Sequence, residues 1–458
     1  MMLWEGYRQA DMEVLFADET LFRLWWRVEL VLAQTLADFG RIPRSAAEEL
    51  AAFSFTPEHT HAVLEASRQW RATGNVVMAF IALMREWVGE SGEYLHWGAT
   101  SQDITDTALA LQLQEGVELF QTQVDRLLAV MAAMAEHDKT VPTVARTNGQ
   151  QAEPMTVGFK WAVAIPEFHR HRERLEEMTH RIVSGQMTGS VGTYAAWEPD
   201  GWRVGAEVNR RLGLTAPVAT WHSIRDTVVE YVTWILGVTA SVERVAMDVY
   251  LLQMSEVGEL LEAHEDHSIG SSSMPHKINP FSSNMIRSMA QIARTHGSGI
   301  WEAVQVMHER EAGRNRREYI AVAEASIWGY SALSALTELL AGVRVQTGRL
   351  RENMQVVQDR VVSQGVMMIV AERIGRQAAH HRVREWIQAS PPQNFLPYAL
   401  QKMEAMGLDG VANDPRLSVD FYVALAEQRT NAILRWAKTQ PWWQLTMEYR
   451  LRRNPQDP

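Results

Sequence analysis

The feature that most constrains this chain is a proline-free stretch from Asp106 to His137. Its apolar residues Leu109, Leu113, Val117, Phe120, Val124, Leu127 and Met131 fall at three- and four-residue steps. That spacing draws one apolar stripe along a helix of about nine turns. A second stretch, from His222 to about Leu261, repeats the rhythm with Val228, Val232, Ile235, Val238, Val242, Val245, Val249 and Leu252. Two more run from Phe281 to Val306 and from Arg317 to Val345. Helices this long exceed the ordinary globular range. A membrane span needs a run of about eighteen or more apolar residues, which the sequence lacks, and a coiled coil needs a strict heptad, which these segments do not keep. A long antiparallel bundle is left, so the expected fold class is all-α.

Shorter helices are expected on both sides of that bundle. Residues 1 to 107 are broken at Gly40 to Pro43, at Pro57 and at Thr73-Gly74-Asn75, and the chain beyond Leu350 is punctuated by Pro391-Pro392, Pro415 and Pro441. The expected organisation is therefore three helical domains, an N-terminal one over 1–107, a central long-helix bundle over 108–350 and a C-terminal one over 351–458. With 458 residues, 46% hydrophobic and 22% charged, the composition is that of a globular protein. The opening MMLWEGYRQADMEV has neither the basic start nor the apolar stretch of a secretory signal, which points to the cytoplasm. The chain has no cysteine, so hydroxyls, amines, imidazoles and carboxylates must carry any catalysis. A net charge of -11 argues against a nucleic-acid partner. It does not argue against a small anion, because Arg, Lys and helix N-termini can gather locally in an acidic protein.

Three polar stretches interrupt the helical pattern. HWGATSQDITDT, residues 96–107, has the form of a helix N-terminus, with Asp103 or Thr105 as caps. ARTNGQQAEPMT, residues 145–156, reads as a turn between helices at Asn148-Gly149. GSSSMPHKINP, residues 270–280, is a loop, because Gly270 and Pro275 preclude a regular helix. His264 and His267 have metal-compatible spacing, but beside Glu265 and Asp266 they read as the polar lead-in to that loop, and no metal site is expected.

GSSSMPHKINP resembles the G-S-S-x-M-P-x-K-x-N-P signature of the fumarase/aspartase superfamily, and HWGATSQD and RTNGQQAEP fall where that superfamily has its other two motif regions. The resemblance implies an all-helical subunit, a homotetramer with composite active sites, a small polycarboxylate substrate, and neither metal nor organic cofactor. It implies Ser271 as the general base, with Lys277 as its catalytic helper. A serine hydroxyl is too weakly acidic to ionise at neutral pH unaided, so the backbone N–H groups of Gly270 and Ser272 and the Lys277 ammonium are the expected stabilisers. By the same resemblance, Thr100, Ser101, Arg146, Thr147, Asn148, Gln151, Ser272, Met274, Asn279, Arg310 and Arg314 contact substrate.

The expected reaction is β-elimination from an N-substituted aspartate or related succinyl compound, releasing fumarate. Departures from the superfamily pattern narrow the choice. The second region has Arg146-Thr147-Asn148 where several relatives have R-T-H, and Asn284 stands where the partner glutamate would align. Gly74-Asn75 and Gly6-Tyr7-Arg8-Gln9 replace further elements of adenylosuccinate lyases. Trp221-His222, Arg225-Asp226, Val76-Val77 after the 73–75 turn, and HEREAG followed by Glu318-Tyr319 resemble 3-carboxy-cis,cis-muconate cycloisomerases, so lactonisation is the alternative. Arg314, Arg316 and Arg317 form either a solvated helix face or an inward anion site. A non-catalytic helical assembly protein is the third reading, and bundle packing does not call for the trio Ser271, Lys277 and Asn279.

Overall fold

A computed structural model of the chain describes residues 5–69, 76–263 and 273–452. The Thr73-Gly74-Asn75 turn and His264, His267, Gly270, Ser271 and Ser272 lie outside them. In chain order the elements used below are α1 (Asp18–Asp38), α2 (Ser101–His137), β1 (Pro142–Thr147), β2 (Gln150–Thr156), α3 (Asp226–Leu252), β3 (Leu260–Leu261), α4 (Phe281–Gly297), α5 (Ala312–Gly342), β4 (Arg344–Val345), α6 (Ser363–Ile374), α7 (Arg376–Ala389) and α8 (Val419–Ala437). Shorter helices connect them. Among the described residues, no helix is long and apolar enough to cross a membrane.

The long helices expected from periodicity are present, with shifted ends. α2 begins at Ser101 rather than Asp106. The stretch from His222 is helical only from Asp226 to Leu252. Gly258 then adopts a left-handed φ of 61° and Leu260 pairs with Val345, so the tail of the apolar run is a strand. α4 ends at Gly297 and continues as a 3-10 helix to Val304. The region around 145–156 differs more. It is an antiparallel hairpin, Pro142 opposite Thr156 and Thr147 opposite Gln150, and not a turn between helices. Alternation there is disturbed by an irregularity between Val144 and Arg146, which hid the strand period of two.

Two compact units emerge, each assembled from three stretches: Met1–Gln123, His171–Ala240 and Ser288–Ala332 in the first; Val124–Arg170, Ser241–Arg287 and Leu333–Pro458 in the second. In the first, Phe22 meets Trp25 edge-on at 5.1 Å, and Phe120 meets Trp234 at 5.1 Å and Tyr330 at 5.7 Å. Close approach of α3 and α5 needs Gly329, where an added Cβ would lie 2.7 Å from Ile235. In the second unit α2 is buried on every side from Leu127 to Ala135, so the single stripe becomes a fully apolar helix. Another core there joins Val366, Ile369 and Val370 of α6 to Val383 and Trp386 of α7 and to Phe395 and Met403.

Candidate active site

Thr100 and Ser101 start α2 in the first unit, half-buried. The Thr100 carbonyl accepts from Asp103 N–H at 2.9 Å while the Asp103 carboxylate accepts from Thr100 N–H at 2.9 Å, a reciprocal N-terminal lock. Asp103 does more than cap. Fully buried, it also accepts from Thr188 N–H at 3.0 Å and Gly189 N–H at 3.1 Å, and lies 3.2 Å from His222 Nε2. Gln102 anchors the same segment by donating to the His222 carbonyl at 2.9 Å. One buried carboxylate thus fixes the backbone that presents Thr100. Gly98, at φ 77°, is required because Trp197 passes so close that a Cβ would lie 2.4 Å from its ring nitrogen. The Arg310 guanidinium donates to Thr100 Oγ1, so these two expected substrate contacts come together. Arg314 lies in the first turn of α5, its side chain outside the described residues, and Arg317 is exposed.

Beneath this turn, Arg225 is buried between Asp106 and Glu318, with Nη1 2.8 Å from Asp106 and Nε 2.8 Å from Glu318. Trp221 covers its guanidinium at 4.7 Å. Burial pushes the Asp106 carboxyl up and the Arg225 charge pulls it back, leaving it above the ordinary aspartate range. Trp221, Arg225 and Glu318, which carried part of the cycloisomerase likeness, therefore act in packing. Sequence reasoning did not single out Glu29. Buried in α1, it accepts from His96 N–H at 2.9 Å and lies 2.7 Å from His96 Nδ1. Burial lowers the His96 pKa, but the Glu29 hydrogen bond and charge more than offset it, so it ends above the usual value.

In the second unit the hairpin carries the middle motif. Asn148 and Gly149 have φ of 52° and 75°, the left-handed pair that a two-residue hairpin loop favours. Thr147 and Asn148 are exposed at its tip. Arg146 is engaged by Glu259 through two hydrogen bonds of 2.9 and 2.5 Å, and Gln151 donates to the Asn353 carbonyl at 3.0 Å. Asn353 in turn donates to Glu259 at 2.8 Å, tying Arg146 and Gln151 into one brace. Burial holds Glu153 above the ordinary glutamate range.

The signature loop enters the description at Ser273. Met274 and Lys277 are exposed, a turn closes from Lys277 N–H to the Met274 carbonyl at 3.0 Å, and Asn279 is half-buried. Just beyond, the carboxylate of Glu262 accepts from Ser282 N–H at 2.8 Å, Ser283 N–H at 3.0 Å and Ser283 Oγ at 2.5 Å. Glu262 therefore ties the chain before the signature to the first turn of α4, where the helix dipole favours an anion. The paired serines after Pro280 were the available sequence signal. Asn284 is exposed. Among the described residues, no group of three or more His, Cys, Asp or Glu is arranged to hold a metal ion.

A family model described as Lyase matches residues 10–294. An N-acetyl-S-(2-succino)cysteine lyase from Enterococcus italicus is 33% identical over 85% of this chain and 85% of its own. An adenylosuccinate lyase from Archaeoglobus fulgidus is 31% identical over 94% of this chain and 97% of its own. The crystal structure of a 3-carboxy-cis,cis-muconate lactonizing enzyme from Pseudomonas putida superposes with a TM-score of 0.84 at 25% identity, covering 98% of this chain and 99% of that one. Together with the helical architecture, these likenesses show that the chain belongs to the Lyase family and is an enzyme of the fumarase/aspartase superfamily.

Proposed function

We propose that the protein cleaves a succinyl thioether, releasing fumarate and a thiol. Ser271, as its oxyanion, takes the proton from the methylene carbon beside one carboxylate. That C–H pair becomes the new double bond, the bond from the neighbouring carbon to sulfur breaks, and the sulfur leaves with its electrons as a thiolate. Lys277 and Asn279 stabilise the charge that develops on the carboxylate, and Thr100, Ser101 and Thr147 bind the carboxylates. In the same reading these groups meet in a homotetramer, each site drawing on several copies.

The observation that carries the choice of leaving group is Asn148. The hairpin tip has an amide where an imidazole would supply a proton, and its left-handed φ of 52° suits Asn in a two-residue turn. A free thiol has a pKa of about 8.5, so a thiolate departs without protonation, whereas an amine does not leave as its anion. The name of the Enterococcus relative, a lyase of an S-succinyl cysteine, supports this substrate class.

The test is incubation of the purified protein with an S-succinyl thiol, an N-succinyl amine and 3-carboxy-cis,cis-muconate, following fumarate by ultraviolet absorbance and free thiol by titration. Equal molar release of fumarate and thiol is expected. Turnover of the amine alone would move the reaction to carbon–nitrogen cleavage, and loss of muconate absorbance alone would make the protein a cycloisomerase.

A further inference from the structure

α6 and α7 border a cleft of about 360 Å³ whose lining includes none of the residues placed at the candidate active site. The two helices are joined through the single residue Gly375, at φ 81°, and their inner faces pack around Val366, Ile369, Val370 and Trp386. The cleft therefore stands on a packed helical pair. Two arginines, Arg376 and Arg384, and His380 line it, together with the apolar side chains of Met367, Val383 and Ile387. Its lining includes no carboxylate.

Charge here runs against the whole molecule. The chain carries -11, yet α7 has Arg376, Arg382 and Arg384 against Glu385 alone. Glu385 lies 3.6 Å from Arg382 and 3.4 Å from His381, on neither cleft arginine. Among the described residues, Arg376 and Arg384 have no acidic partner. Positions 376, 380 and 384 succeed one another at one helical turn, about 6 Å apart and about 12 Å end to end. Guanidinium forks match carboxylate and phosphate oxygens in pairs.

We propose that this cleft binds an organic dianion, two carboxylate or phosphate groups on a short apolar spacer. Arg376 and Arg384 hold the two charged ends, His380 lies between them, and Met367, Val383 and Ile387 cover the spacer.

Titration calorimetry of the whole protein with succinate and with 1,3-propanediol bisphosphate tests it, on wild type and on the Arg376→Gln/Arg384→Gln double variant. Both arginines are exposed, so circular dichroism and kcat/KM should be unchanged in the variant. Wild type should bind at least one probe at a site that the double variant weakens by at least about tenfold, the cost of losing even one of its two charge-assisted contacts. Succinate held at the reaction site is told apart by stoichiometry, since the variant loses one equivalent per chain and keeps the other. Binding of succinate alone assigns the cleft to dicarboxylates, and of the bisphosphate alone to phosphate esters. Failure of both probes, unchanged affinity in the variant, or a fall in kcat/KM parallel to the loss of binding would each overturn the proposal.

Discussion

Glu259 grips Arg146 at two points, Nη1 to Oε2 at 2.9 Å and Nη2 to Oε1 at 2.5 Å, with Asn353 donating a third hydrogen bond to the same carboxylate. Glu259 is 2% exposed and Arg146 22%, so the pair is mostly shielded from water. This makes Arg146 a brace for the hairpin that carries Thr147. Arg146→Gln and Glu259→Gln should each lower unfolding stability by about 2 kcal/mol, because each leaves a buried charged group short of its partner. The double variant should lose little more than either single one, since one interaction is removed in all three. Urea unfolding measures this. An Arg146→Gln variant with an unchanged midpoint and a raised KM would instead assign the guanidinium to substrate.

Ser271→Ala removes one hydroxyl. If Ser271 is the general base, turnover should fall by more than about a hundredfold while substrate binding holds. Steady-state kinetics together with equilibrium binding of the thioether separate the two effects. Activity above a hundredth of wild type would take the proton abstraction away from Ser271.

The helical bundle was legible because burial imposes a period of 3.6 on apolar side chains, as in α2 and α3. The hairpin was not, because a register irregularity between Val144 and Arg146 disturbs the period of two in strands already short. Its turn residues Asn148-Gly149 were visible as a turn, and only the pairing of Thr147 with Gln150 shows what they join. At the candidate site, hydroxyls and cations stood out as motifs. Of the carboxylates that hold them, Asp103 showed locally as a helix cap, and the others did not. Its reach to Thr188, Gly189 and His222, like the parts played by Glu259, Glu262 and Glu29, joins residues distant in sequence, and no local pattern distinguishes such a buried strut from a solvated acid.

His96 offers a pH test of one such strut. Its pKa is raised in the folded protein, with burial opposed and exceeded by Glu29. A raised value means that the pair stabilises fully below the unfolded histidine pKa of about 6.5 and loses that contribution as pH climbs through the folded value. The difference in Tm between wild type and Glu29→Gln should therefore be wider near about pH 6 than near about pH 9. Some difference should persist at high pH, because Glu29 also accepts from the His96 backbone N–H. A Tm difference that does not change with pH would mean that His96 stays neutral throughout.

Asn148 sits at a left-handed hairpin position beside Gly149. Histidine tolerates that backbone better than most residues do, so Asn148→His should fold with its hairpin intact. It should add little to turnover, because Asn284 offers no carboxylate to orient or charge an introduced imidazole. Asn148→His with Asn284→Glu restores both halves of the proton-donating pair, and should raise turnover of N-succinyl amines above the wild-type level while leaving the thioether rate within about tenfold. With a thiolate leaving group, the wild-type pH–rate profile on the thioether should lack an alkaline limb in the histidine range, the fall that a proton-donating imidazole shows as it deprotonates. If such a limb is present and disappears on substitution of His96 or His222, an imidazole elsewhere protonates the leaving group, and the amide at the hairpin tip no longer dictates the substrate.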